Sequence, residues 1–169
     1  MEIRNGETEG FLSLSPVGYQ FPDITDDQWD SNWLMIRGTA RTPDEEWTFE
    51  DPAMTVHEAV GLGVWLHDVA AGRATLIEDD EDSHVWRGAT QNLEPNIGLG
   101  LVQSTEDSAT LRVFLWAESG PPSVQRDDQL SDMEFFFDLT TSRAAIERAA
   151  EEWDSELVKF PERGDPSRR

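Results

Sequence analysis

The sequence predicts an α+β fold: a single domain with a mainly antiparallel, strand-rich sheet and two helices, at about residues 55–71 and 142–159. Three observations predict it. Two stretches repeat apolar residues at helical spacing between recognisable caps. Several shorter stretches carry apolar, β-branched and aromatic residues bounded by turn-forming ones. These strands recur at a spacing of about 10–12 residues with short connections, which favours antiparallel neighbours over long parallel crossovers.

Taken in order, residues 11–21 read as a strand that breaks at Pro16 and Gly18. An acidic, turn-rich segment follows, holding Asp23, Asp26, Asp27, Trp29 and Asp30. Residues 33–40 form a good strand, and after a Thr42-Pro43-Asp44 turn, residues 46–50 alternate with period two. Thr55 followed by Glu58 is the signature of a capping box at a helix start. Ala59, Leu62, Leu66 and Val69 then repeat at helical spacing, and Gly72 supplies the stop. Gly61 and Gly63 lie inside that helix, each weakening it by about 1 kcal/mol relative to Ala. Both are expected to allow close backbone packing. Further strands are predicted at 74–78, 84–87, 97–102, 109–117 and 133–139. In the last helix Ile146, Ala149, Ala150, Trp153, Leu157 and then Phe160 make one apolar stripe, with Glu147, Glu151, Asp154 and Glu156 on the wet side. Pro161 ends it, so the domain is read as 1–161 and residues 162–169 as a flexible tail.

Bulk composition suits this picture. The chain has 169 residues, seven Trp and eight Phe, enough apolar material for a core without a staple. No segment has the basic and apolar run of a signal peptide, and none approaches the roughly 18 apolar residues that span a bilayer, so a cytoplasmic protein is expected. Without cysteine there is no disulfide, thiol nucleophile or Cys-based zinc site. Thirty-five acids against 13 bases give a net charge of -22. Such a surface repels nucleic acid and anionic membranes and attracts cationic proteins. A salt-adapted or GC-rich source gives acidic proteins too, and Lys159 as the one lysine fits that.

The chemistry-bearing patterns are incomplete. His57-Glu58 begins like a zinc-protease motif, but Gly61 occupies the second ligand position. His67 lies about 280° round the helix from His57, so the two do not share a face. His84 reads as a solvated side chain beside an acidic loop. The Gly61-Leu62-Gly63 and Gly98-Leu99-Gly100 pairs lack the third glycine of a dinucleotide loop. The run Glu78, Asp79, Asp80, Glu81, Asp82 lacks the glycine and spaced glutamate of a calcium hand and reads as a solvated loop. No catalytic residue, metal or cofactor is therefore expected. Of the tryptophans, Trp33, Trp47, Trp65, Trp86, Trp116 and Trp153 sit on predicted elements as core residues. Trp29 stands apart in the acidic segment, either anchoring it or exposed as a contact.

Several short motifs occur in a telling order: Gly18-Tyr19-Gln20-Phe21-Pro22, Asp30-Ser31-Asn32-Trp33-Leu34, Trp47-Thr48-Phe49-Glu50-Asp51-Pro52, Thr55-Val56-His57-Glu58, Trp65-Leu66 and Leu93-Glu94-Pro95-Asn96. This succession, over roughly residues 17–140, resembles the WapI-type immunity proteins of bacteria. The resemblance implies a small cytoplasmic protein that neutralises the toxic C-terminal domain of a WapA-like polymorphic toxin. Its motifs are structural, so it transfers no toxin-binding residues. The residues' own chemistry points to Asp23, Asp26, Asp27, Trp29 and Asp30, and to Glu78, Asp79, Asp80, Glu81 and Asp82, as the surface that would occlude a basic, nuclease-type toxin. Two other classes stay open here: a small hydrolase or metal-dependent enzyme using His57 and His84, and an acidic scaffold protein.

Overall fold

The computed structural model describes residues 1–27, 29–78, 90, 92–94, 96–125 and 135–164. In chain order the elements are β1 (Glu2–Arg4), β2 (Phe11–Tyr19), β3 (Trp33–Arg41), β4 (Glu46–Thr55), α1 (Val56–Ala70), β5 (Ile97–Ser104), β6 (Ser108–Leu115), the single turn α2 (Pro122–Gln125), β7 (Phe136–Ser142) and α3 (Arg143–Leu157). The fold is α+β, and every strand pair is antiparallel. The strands form two sheets, ordered β1-β2-β3-β4 and β5-β6-β7. The sequence indicates one sheet because partnership between strands depends on contacts far apart in the chain.

The first sheet follows from period-two burial. Leu34, Ile36, Gly38 and Ala40 on β3 face inward, as do Leu12, Leu14 and Pro16 on β2. Pro16 and Gly18 do not end β2 as expected. The register shifts between them, so the strand carries a bulge and continues to Tyr19. Pro16 is tolerated because β1 pairs only with residues 11–13 of β2, leaving Pro16 with no partner strand on that side among the described residues. Gly38 lies opposite Phe49 on β4, whose ring covers the space a side chain would take. A second shift, between Leu34 and Met35, lets β4 run past Pro52 to Thr55, five residues beyond the predicted end.

At Thr55 the chain turns directly into α1. Thr55 accepts from the Glu58 N–H at 3.3 Å, and Glu58 Oε2 accepts from the Thr55 N–H at 2.7 Å, so the capping box is complete. At the other end Gly72 takes φ +73°, its N–H bonding Val69 O at 3.0 Å while Arg73 N–H bonds Asp68 O at 2.8 Å. That is a Schellman stop, which the left-handed residue makes possible. Arg143, at the start of α3, adds its guanidinium to the Val69 and Ala70 carbonyls of the same terminus.

α1 and α3 pack against each other, and Trp153 is the centre of that contact. It is fully buried and donates its indole N–H to Ala59 O at 2.8 Å. A Cβ on Gly63 would lie 2.5 Å from Asp154 Oδ1 and 3.3 Å from Trp153 Cδ1, so Gly63 is where the helices approach. Gly61 differs from its expectation: among the described residues nothing lies within 4 Å of its Cβ position. Residues from both sheets and both long helices share one hydrophobic core, including Leu14, Ile36, Leu66, Leu99, Leu111, Ile146 and Trp153.

Other expectations moved. Residues 74–78 are not a strand; Ile77 N–H makes one bond to Leu101 O, and Glu78 a lone bridge. Arg73, Thr75 and Leu76 are exposed and only Ala74 and Ile77 are half-buried, so the segment lacks the alternating burial of a strand. The last strand lies at Phe136–Ser142, later than 133–139, and leads straight into the Ser142 cap of α3. The strand predicted at 84–87, with His84 and Trp86, lies outside the described residues.

Candidate functional site

The acidic segment between β2 and β3 is an ordered loop held by its own side chains. Asp27 Oδ1 accepts the N–H groups of Trp29 and Asp30, both at 2.8 Å. Ser31 Oγ donates to Asp27 O, and residues Asp30–Asn32 close a 3-10 turn. Asp27 therefore serves as a turn cap, its carboxylate satisfying backbone donors within the loop. The other acids of the segment, Asp23, Asp26 and Asp30, are exposed.

The irregular segment after α3, residues 160–163, packs against this loop. Buried Asn32 donates to Arg163 O at 3.0 Å and accepts from the Arg163 N–H at 2.8 Å. The Arg163 guanidinium lies 3.4 Å above the Tyr19 ring centroid and donates to Pro22 O and Ile24 O at 3.1 and 3.2 Å. Tyr19 in turn donates its hydroxyl to Pro161 O at 2.5 Å and meets Phe160 edge-on. Burial pushes the Tyr19 hydroxyl above its ordinary value, with Arg163 working against that shift. Residues 162–164, where the sequence suggests the start of a tail, thus make the loop's scaffold.

On this scaffold Trp29 projects with 65% of its surface exposed. It lines a cleft of about 390 Å³ together with Asn32, Thr55, His57, Glu58, Leu93 and Glu162. Leu93 is 62% exposed and is placed by Glu58, whose Oε1 accepts its N–H at 2.5 Å. Glu58 thus caps α1 with one oxygen and anchors the Leu93 segment with the other. The cleft sets two exposed apolar side chains, Trp29 and Leu93, among polar ones.

Of the residues expected at the site, the structure brings Trp29 to the cleft with Asp23, Asp26, Asp27 and Asp30 in its loop. Glu78 is exposed. Asp79, Asp80, Glu81 and Asp82 lie outside the described residues. His57 joins the cleft wall, whereas His67 lies between Glu147 and Asp154 of α3, at 3.1 and 3.0 Å. Among the described residues no three His, Asp or Glu side chains converge to hold a metal. Sequence reading missed Leu93, His57 and Glu162 as neighbours of Trp29, because they come from separate parts of the chain. The remaining tryptophans divide: Trp47 and Trp153 are buried, Trp33, Trp65 and Trp116 half-buried.

A second polar cluster joins the sheets. Buried Asn96 donates to Asp51 Oδ2 at 2.5 Å and to Glu118 Oε2 at 3.3 Å. Burial raises the Asp51 carboxyl above its usual range; the Asn96 amide opposes that and the Glu118 charge adds to it. Next to it Ala117 has φ +47° and Trp47 donates to Ser119 O at 3.0 Å. One amide shared between two carboxylates, at the contact of β4 with the turn after β6, is a tie between the two sheets.

The model of the WapI-like immunity protein family matches residues 2–161, nearly the whole chain. The chain belongs to the WapI-like immunity protein family. No curated protein and no solved structure matches it. Membership makes binding of a toxin the role to be explained, in a family that is generally non-catalytic. It also changes the weight of the cleft. In an immunity protein, an exposed tryptophan on a pre-ordered loop is a natural contact for a protein partner. Among the described residues no helix is long and apolar enough to cross a membrane.

Proposed function

We propose that this WapI-like protein neutralises a nuclease-type toxin domain in the cytoplasm by covering the basic groove in which the toxin would hold nucleic acid. The observation that supports this reading is the loop that carries exposed Asp23, Asp26 and Asp30 together with a Trp29 that is 65% exposed, the loop being held by Asp27 and Arg163. Carboxylates on a pre-ordered loop take the place of substrate phosphates, and the tryptophan supplies desolvated area. The surplus of 35 acids over 13 bases speeds encounter with a basic partner and disfavours nucleic acid as a ligand. The run Glu78, Asp79, Asp80, Glu81 and Asp82 is the second acidic cluster of this proposal.

The test is a titration of the toxin domain encoded by the adjacent reading frame, read as residual nuclease activity and as association rate across a salt series. Wild type should inhibit at one equivalent, with association slowing as salt rises. Changing Asp23, Asp26 and Asp30 to Asn together with Glu78–Asp82 to their amides should slow association by about tenfold or more. Unchanged binding after both clusters are neutralised refutes the assignment.

A further inference from the structure

Resting on that reading, we infer that the outer face of α1, continuous with the Trp29–Leu93 cleft, is the apolar centre of the interface, and that a basic segment of the toxin domain lies along it. His57, Val60, Gly61 and Val64 fall on one helical face, since residues three and four apart are neighbours. His57 is in the cleft wall, so the row starts where Trp29 and Leu93 stand. Val60 is 49% and Val64 57% exposed, and Trp29 and Leu93 are more so. Four large apolar side chains thus line one surface leading from the cleft onto the helix. Patches of this kind, rimmed by polar groups, mark interaction sites.

Gly61 carries the point further. Its neighbour Gly63 is needed to admit Asp154 and Trp153, but a side chain at Gly61 would meet no described residue within 4 Å. A glycine there weakens the helix with no packing return among the described residues. Between two exposed valines it leaves a shallow saddle where another backbone can approach α1 closely. The occupant follows from charge. Asp23, Asp26 and Asp30 lie in the loop that presents Trp29, and the chain as a whole carries -22. A segment with an apolar side chain for the cleft, flanked by Arg or Lys for the acidic loop, satisfies both parts, with the charged contacts at the rim and the apolar ones at the centre.

The experiment uses the full chain and the inactivated toxin domain from the adjacent reading frame, with affinity by calorimetry and melting temperature by scanning fluorimetry. Gly61→Gln should melt about 2 °C or more above wild type, because the helix gains propensity. The same variant should bind the toxin domain about tenfold or more weakly, because the saddle is filled. Val60→Ser with Val64→Ser should also weaken binding without lowering the association rate's salt dependence. Val158→Ser, at an 81% exposed valine after α3, should bind as wild type. Wild-type affinity in both α1 variants overturns the inference while leaving the acidic-loop reading standing. No binding by the wild-type chain overturns both. A concentration-dependent dimer abolished by Gly61→Gln assigns the face to a second copy and overturns the proposed occupant.

Discussion

Replacing His67 with glutamine should narrow the stability gap to wild type as pH rises, and the sign follows from the geometry. His67 on α1 places Nδ1 3.1 Å from Glu147 Oε1 and Nε2 3.0 Å from Asp154 Oδ2, both on α3. A carboxylate only accepts, so both contacts are satisfied together only when both ring nitrogens carry protons. The charged imidazolium is therefore favoured, and its pKa is raised above 6.5, chiefly by the Asp154 bond, then by Glu147, against a smaller opposing effect of burial. Glu151, one turn along α3, is exposed, and Asp68 on α1 is engaged by Arg73 at 2.8 Å. The side chains are 32%, 46% and 52% exposed, so each pair is worth only about 0.2–1 kcal/mol, and the two together about 1 kcal/mol. A raised folded-state pKa means this contribution is fully present below pH 6.5 and is lost as pH climbs through the folded value. At this chain length the gap corresponds to about 2–4 °C in melting temperature. Melts of wild type and His67→Gln from about pH 5 to pH 9 at fixed ionic strength measure it. Since both proteins share the same 35 acids, their difference isolates His67. A gap that stays flat, or widens toward alkaline pH, refutes the reasoning.

Other outcomes are expected elsewhere. Gly38→Ala would put a Cβ within 2.6 Å of three ring carbons of buried Phe49 and should cost about 1–3 kcal/mol, seen as a lower urea midpoint at unchanged slope. Asp27→Ala should destabilise the chain by about 1 kcal/mol through loss of two backbone bonds, whereas Asp26→Asn should leave its melting temperature unchanged. Asn32→Ala should remove the hydrogen-exchange protection of the Arg163 amide and cost about 1–3 kcal/mol, because it leaves Arg163 without the Asn32 bonds on both its N–H and its C=O. Retained protection at Arg163 would show that another group holds that segment.

The two long helices were legible because their ends are written in adjacent residues: Thr55 with Glu58, Gly72, and Ser142. These signals act over four residues and need no tertiary partner. β3 was legible for a similar reason, its Leu34, Ile36 and Ala40 alternating over a single strand. Residues 74–78 misled because apolar content alone does not supply a surface to bury it. Pro16 misled because its cost depends on whether a strand lies beside it, and β1 is too short to reach. The division into two sheets and the pairing of Met1–Arg4 with β2 depend on long-range contacts with no local mark. At the site, the density of acids in residues 23–30 was visible. The cleft was not, since its wall joins Trp29, His57, Leu93 and Glu162 across the whole chain.

Gly61 and Gly63 show where the limit lies in physical terms. In sequence they are equivalent: same residue, same helix, same cost of about 1 kcal/mol. They stand about 200° apart round the axis, so they cannot serve one neighbour. Gly63 faces α3, where a Cβ would strike Asp154, and its cost is offset by the burial of Trp153 against Ala59. Gly61 faces outward beside Val60, and no described residue offsets it. In the complex inferred above, the toxin domain completes the surface of α1 at this position. The acidic loop and this face then have separable roles: charge sets how fast a basic partner arrives, and the apolar face sets how long it stays. Salt should therefore act on association, and Gly61→Gln on dissociation.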